Sequence, residues 1–256
     1  MTYCVGIALD RGLVLMSDTR TNSGVDNISV FRKMFYWSVP GERIISVMTA
    51  GNLATTQAVI SQLEERTKAP EDRHNSLLEA PTMFQVATAI GKLLRDTISS
   101  AQATNGQAGQ GRFTASIIVA GQIQGQEPRL FMVYPEGNFI EASPDTPFFQ
   151  IGETKYGRPI ILRAYDPAMS FENAIKLLMV SFDSTLKANL SVGMPLDLLV
   201  IGRDEFEPLH EMRVTADDPY FQQISHGWGD ALKAAFESLP DYTFDQLPST
   251  GGSGRQ

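Results

Sequence analysis

The order of elements in this sequence predicts an α+β fold, a four-layer α/β/β/α sandwich of two antiparallel sheets. Three observations carry that expectation. Strand-type runs come in two clusters, each followed by helical patterns, so the strict βα alternation of a doubly wound parallel sheet is missing. Each helical segment shows one apolar stripe, which must be covered by something flat. Two face-to-face sheets with helices outside them would bury every such face. The expected organisation is one domain over residues 1–239 followed by a flexible tail, 240–256.

Taken in order, Tyr3–Leu9 and Leu13–Ser17 are strands joined by the Asp10-Arg11-Gly12 turn, a short Gly-containing connection of hairpin type. The polar stretch Thr19 to Asn27 reads as a loop. Met34–Val39 and Ile44–Met48 are strands separated by Pro40-Gly41-Glu42, and consecutive hairpins of this kind predict that all four front strands share one sheet. The period then changes to helical. Asn52 to Thr67 has Asn52 as its N-cap and Leu53, Val59, Ile60 and Leu63 on one face. A second helix starts at Thr82, where Thr82 and Gln85 match a capping box, and Met83, Val86, Ala87, Ile90 and Leu94 form its stripe. Both helices are expected on the same sheet.

The Gly/Gln-rich segment Thr104 to Gly111 is too short for a domain linker and reads as a loop. Beyond it lie the strands Phe113–Ala120, Leu130–Tyr134, Phe139–Ala142 and Phe148–Ile151. Ser170 caps a long helix with the face Phe171, Ala174, Ile175, Leu178, Phe182 and Leu186. Leu196–Ile201 is another strand. Asp218-Pro219 opens the last helix in the N-cap and N1 arrangement, striped by Phe221, Ile224, Trp228, Leu232, Ala235 and Leu239. In the polar tail, Leu247–Gly251 spells LPSTG, but no apolar anchor follows, which argues against attachment to a cell wall.

Composition narrows the function classes. A formal net charge of −8 disfavours non-specific nucleic-acid binding, which needs a basic surface. No apolar run approaches the ~20 residues that span a bilayer. The three histidines are scattered and there is one cysteine, so neither a zinc cluster nor a disulfide framework is expected, and no cofactor is called for. Cys4, inside the first strand, reads as a buried inert thiol. No basic n-region precedes that strand. The expectation is a cytoplasmic protein.

The chemistry is expected at the front of the chain. Thr2 follows Met1 directly, and a small second residue permits trimming of the initiator. Trimming would place a free α-amine beside the Thr2 hydroxyl, an arrangement that activates the nucleophile. An α-amine has a pKa near ~7.7–8 and can act as a base at neutral pH. Asp18 and Arg20 lie in Ser17-Asp18-Thr19-Arg20 at the end of the second strand, and Lys33 lies at the start of the third. Adjacent strand ends would bring nucleophile, carboxylate and ammonium together.

Those residues resemble the proteasome β-subunit family of N-terminal nucleophile (Ntn) hydrolases. There, Thr starts the mature chain, Asp-Thr-Arg ends the second strand and Lys follows about as far on as Lys33 does here. Ala50-Gly51-Asn52 is similar to the family's Ala-Gly turn, whose Gly amide forms the oxyanion hole. The opening MTYCVGI and the long C-terminal extension look closest to the bacterial Anbu branch, and the resemblance spans Thr2 to Ile201.

It implies a threonine hydrolase of peptide or amide bonds with Thr2 as nucleophile, Lys33 tuning it, Asp18 orienting Lys33 and the Gly51 amide binding the oxyanion. Arg20 would support the loop, and Thr21, Thr49 and Leu53 match positions that line the substrate pocket. The implied partners are copies of itself, in a ring or an open ring-like stack, and a peptide or protein substrate; no ATPase partner is legible.

Two stretches depart from the family pattern. Ile151-Gly152-Glu153-Thr154 stands where Ile-Gly-Ser-Gly is usual, placing an extra charge near the site. The usual Asp-x-x-Ser-Gly is stretched, leaving Asp183 and Ser191 as the supporting residues. An inactive peptide-binding scaffold and an Ntn amidase acting on small molecules remain open readings beside the hydrolase.

Overall fold

Alternation along the strands decides the architecture. In a computed structural model describing residues 2–22, 28–68, 76–105 and 113–244, the first five-stranded antiparallel sheet runs β10(Phe148–Gly152), β1(Tyr3–Leu9), β2(Gly12–Asp18), β11(Leu196–Gly202), β12(His210–Val214). The second runs β5(Met34–Val39), β6(Arg43–Gly51), β7(Ala115–Ile123), β8(Arg129–Val133), β9(Phe139–Glu141). A two-stranded ribbon, β3(Arg20–Asn22) and β4(Ile28–Val30), completes the β structure of the described residues.

Successive side chains on a strand point to opposite faces, and both faces of β1, β2 and β11 are apolar. Tyr3, Val5, Ile7, Val14, Met16, Leu196 and Leu198 join the core beneath α4(Phe171–Ala188), with Phe221 of α5(Pro219–Glu237). Their neighbours Cys4, Leu13, Leu15, Leu199 and Ile201 face Ile44, Met48 and Ile118 of the other sheet. The second sheet divides the same way: Ile45, Val47, Ile117 and Val119 lie under α1(Leu53–Lys68) and α2(Met83–Asn105). This is the four-layer sandwich, with one core between the sheets and one under each helical layer. Continuous apolar strands are what burial on both faces requires.

The helix starts follow capping chemistry. Asn52 Oδ1 accepts from the Thr55 N–H at 3.0 Å, Thr82 Oγ1 from Gln85 at 3.2 Å, Ser170 Oγ from Asn173 at 3.2 Å and Asp218 Oδ1 from Phe221 at 2.8 Å.

Several expectations are corrected. The four front strands do not share a sheet: β1 pairs with β2, and β5 with β6, in opposite layers. A hairpin rule pairs neighbours but is blind to which layer the next hairpin joins. Part of the expected Thr19–Asn27 loop is the β3–β4 ribbon, paired from Arg20 with Val30 to Asn22 with Ile28; residues 23–27 lie outside the described residues. The Thr104–Gly111 connection lies outside them beyond the end of α2 at Asn105, as does the LPSTG segment. β7 starts at Ala115 rather than Phe113 and runs to Ile123.

Besides the ribbon, two more elements were not anticipated. α3(Arg158–Ala164) is too short to show a stripe, and buries Ile161. β12 is a largely exposed edge strand whose alternation is confined to Met212 and Val214, the two residues that pack on the core.

Candidate active site

One end of the sandwich gathers the predicted residues from both sheets. Thr2 stands just ahead of β1, and Asp18 is the last residue of β2 beside it. The Tyr3 N–H donates to Asp18 Oδ1 at 2.9 Å. Lys33 belongs to the other layer, since its carbonyl accepts from the Thr49 N–H of β6 at 2.9 Å. Its Nζ crosses to Asp18 Oδ1 at 2.7 Å and donates also to the Arg20 carbonyl at 2.6 Å. The ion pair therefore ties the two sheets together. It is buried, with the Lys33 side chain 7% exposed and that of Asp18 0%.

Asp18 Oδ2 accepts from the Gly193 N–H at 3.3 Å. Burial pushes the Asp18 carboxyl above its ordinary value, while the Lys33 ammonium and the Tyr3 and Gly193 N–H groups pull it down. Burial likewise pushes the Cys4 thiol up, which suits an inert core thiol.

Thr2 is held through its main chain. Its carbonyl accepts from the Glu153 N–H at 2.6 Å, and the next amide, Tyr3 N–H, is the one given to Asp18. Gly152 makes that approach possible: its φ is +83°, and a Cβ there would lie 2.1 Å from the Thr2 carbonyl oxygen. Gly51 ends β6 at φ +119°, where a Cβ would lie 2.4 Å from the Thr114 carbonyl oxygen.

A cavity of about 320 Å³ opens over these residues, lined by Thr2, Lys33 and Gly51 and by all three expected pocket positions, Thr21, Thr49 and Leu53. Arg20 reaches its rim and ties down the 190s loop, donating from Nη1 to the Leu190 carbonyl at 3.0 Å.

Asp183 and Ser191 make hydrogen bonds outside this cluster. Asp183 accepts from Lys187 Nζ at 2.9 Å, one turn along α4, and the Ser191 N–H donates to Asn189 Oδ1 at 3.0 Å. Among the described residues neither is hydrogen-bonded to Thr2, Asp18 or Lys33. The Glu153 carboxylate is held by neutral donors of its own turn and of Asn189 and is not among the residues lining the cavity. Its Oε1 accepts from the Thr154 and Lys155 N–H groups at 2.9 and 2.8 Å, and its Oε2 from Asn189 Nδ2 at 2.8 Å.

Sequence reasoning missed Gly152, Gly193 and the Glu153–Asn189 link as parts of the frame. The signal for the first was a glycine ending an apolar strand. Gly193 and Asn189 come from distant loops and carried none.

The fold is shared with known proteins. The family model described as Proteasome subunit matches residues 2–201. A proteasome subunit beta of Methanopyrus kandleri is 25% identical over 209 residues, covering 80% of this chain and 88% of the relative. Among solved structures, Anbu (ancestral beta-subunit) from Yersinia bercovieri aligns with a TM-score of 0.88 at 44% identity, covering 94% of this chain and 100% of that one. The helical assembly of the Anbu complex from Pseudomonas aeruginosa aligns with a TM-score of 0.89 at 44% identity, covering 96% and 100%. The chain belongs to the proteasome subunit family, among its Anbu (ancestral beta-subunit) members.

Proposed function

We propose that this chain is a threonine-type hydrolase that cleaves peptide or amide bonds through Thr2 once Met1 has been removed. One observation carries the reading: Thr2 and Gly51 line the same cavity as a Lys33 ammonium clamped by buried Asp18. Thr2 Oγ attacks the scissile carbonyl and gives its proton to the α-amine. The Gly51 N–H stabilises the oxyanion. Collapse of the intermediate breaks the C–N bond, the amine leaving group takes the proton, and water then hydrolyses the Thr2 ester. Lys33 favours the developing alkoxide by its charge. With Met1 in place the Thr2 nitrogen is an amide and has no proton-accepting role, so trimming switches the site on.

The test pairs intact mass with turnover. The mature chain should lack Met1 and hydrolyse a peptide amide, and Thr2→Ala should abolish turnover. Quantitative retention of Met1, or undiminished turnover in Thr2→Ala, would refute the proposal. The Pseudomonas aeruginosa relative is described as a helical assembly; self-assembly into a ring or open ring-like stack is proposed for this chain too. Light scattering that reports only a 28.1 kDa monomer would exclude it.

A further inference from the structure

The cavity over Thr2 is cationic in an acidic protein. The chain carries 29 acidic against 21 basic residues, yet the described residues lining the cavity include Arg20, Arg32 and Lys33 and no Asp or Glu. The three cations are unequally compensated. Lys33 is neutralised by Asp18 at 2.7 Å. Arg20 donates to a carbonyl, Leu190 O, and has no carboxylate within 4 Å among the described residues. Arg32 approaches Glu211 only at 4.0 Å, with its side chain 52% exposed, and the other Glu211 oxygen already accepts from Tyr36 Oη at 2.8 Å. Polar donors complete one wall, Thr21, Thr49 and Gln57, while Phe35 and Ile60 supply an apolar patch. Such a chamber leaves positive charge in want of an anion, beside the nucleophile.

We propose that the site selects substrates with an acidic side chain, Asp or Glu, on the residue that supplies the scissile carbonyl, and that Arg32 is the specificity-determining residue. The inference rests on the threonine-hydrolase reading above. A carboxylate entering the cavity would exchange the loose Arg32–Glu211 approach for a direct guanidinium contact. An arginine on a half-exposed wall does this at a small desolvation cost, because its head never leaves water fully. Discrimination is therefore electrostatic and is screened by salt.

The experiment uses the full-length mature chain and three peptidyl epoxyketones identical except for Asp, Leu or Lys beside the ketone. Thr2 Oγ adds to the ketone and the freed α-amine opens the epoxide, so the whole probe mass is retained and read by intact mass spectrometry. The Asp probe is expected to label about tenfold faster than the Leu probe at low salt, with the ratio falling at high salt. Arg32→Gln should erase the preference and Arg32→Glu should turn it toward the Lys probe; both leave Lys33 and Asp18 in place. A Leu probe as fast as the Asp probe, or an acidic preference unchanged in both variants, overturns the proposal while leaving Thr2 a nucleophile. No labelling by any probe removes the threonine-hydrolase reading and this inference with it.

Discussion

Removing Asp18 tests whether the Lys33 pair is structural or ornamental. In Asp18→Ala the Lys33 ammonium, 7% exposed, keeps only the Arg20 carbonyl at 2.6 Å, and the N–H groups of Tyr3 and Gly193 lose their acceptor. Breaking one side of a buried pair costs about 3–5 kcal/mol. At about 2–4 °C per kcal/mol for a chain of this size, the midpoint should fall by about 6–20 °C. The assay is thermal unfolding at one fixed protein concentration, so that assembly does not confound the comparison. The double variant Asp18→Ala with Lys33→Met removes the orphaned charge as well, and should recover about 2 kcal/mol or more over the single variant. A shift of less than about 2 °C for Asp18→Ala would show that the pair behaves as an exposed one, worth about 0–1 kcal/mol. No recovery in the double variant would refute the buried-charge argument.

Three further outcomes follow from the frame. Gly152→Ala should cost about 1–3 kcal/mol and slow labelling of Thr2, because its Cβ is aimed at the Thr2 carbonyl; Gly41→Ala, at φ +73° with nothing within 4 Å, should destabilise without touching labelling. If both variants label alike, the Gly152 contact does not position Thr2. Burial pushes the Tyr3 phenol up to about 12, with its Oη 2.7 Å from Ser181 Oγ and accepting from Gln150 Nε2 at 2.6 Å. The unfolded chain releases this proton near pH 10 and the folded one only near 12, so stability falls with pH across that window, by about 2–3 kcal/mol from this group. Urea titrations should show a shallower alkaline loss in Tyr3→Phe than in the parent, and equal slopes would contradict the assignment. Glu153→Gln presents an NH₂ where an acceptor is required, and should lose about 1–3 kcal/mol in urea titrations while leaving the acidic-probe preference intact; a parental midpoint would show that the 153–189 link carries no stability.

Much of this was legible in the residues, for identifiable reasons. Helix caps at Asn52, Thr82, Ser170 and Asp218 are local chemistry and read directly. The strands β1, β2, β6, β7 and β11 read as apolar runs because both of their faces are buried. Which sheet each strand joins was not legible, since hairpin order is local and layer membership depends on contacts between distant segments. The same divide runs through the site. Thr2 and Asp18 sit at ends of strands that pair as a hairpin, and Lys33 meets them only across the sandwich from the other sheet, while Gly193 and Asn189 reach the cluster from a loop more than 150 residues away in sequence. Asp183 Oδ2 accepts from Lys187 on its own helix, a contact set by i,i+4 spacing and therefore local.

On the proposed mechanism, the way Thr2 is fixed would let the chain fold before its nucleophile has a base. The carbonyl of Thr2 is held by Glu153 N–H at 2.6 Å, and the adjoining Tyr3 N–H by Asp18 at 2.9 Å, so the peptide unit between them is clamped on both sides. Neither bond uses an atom of residue 1. On the proposed mechanism, loss of Met1 therefore changes the chemistry of the Thr2 nitrogen, from amide to amine, without undoing the bonds that place the residue. Preorganisation of this kind keeps the nucleophile at fixed geometry when its base appears, which is where rate is gained. It also separates two kinds of variant. A side chain at Gly152 shifts the position of Thr2 and should slow labelling in the trimmed chain, while a change that blocks trimming should leave the fold and its midpoint intact and remove labelling altogether. A trimming-deficient chain that unfolds at a clearly lower temperature than the mature one would show that the clamp does depend on the terminus.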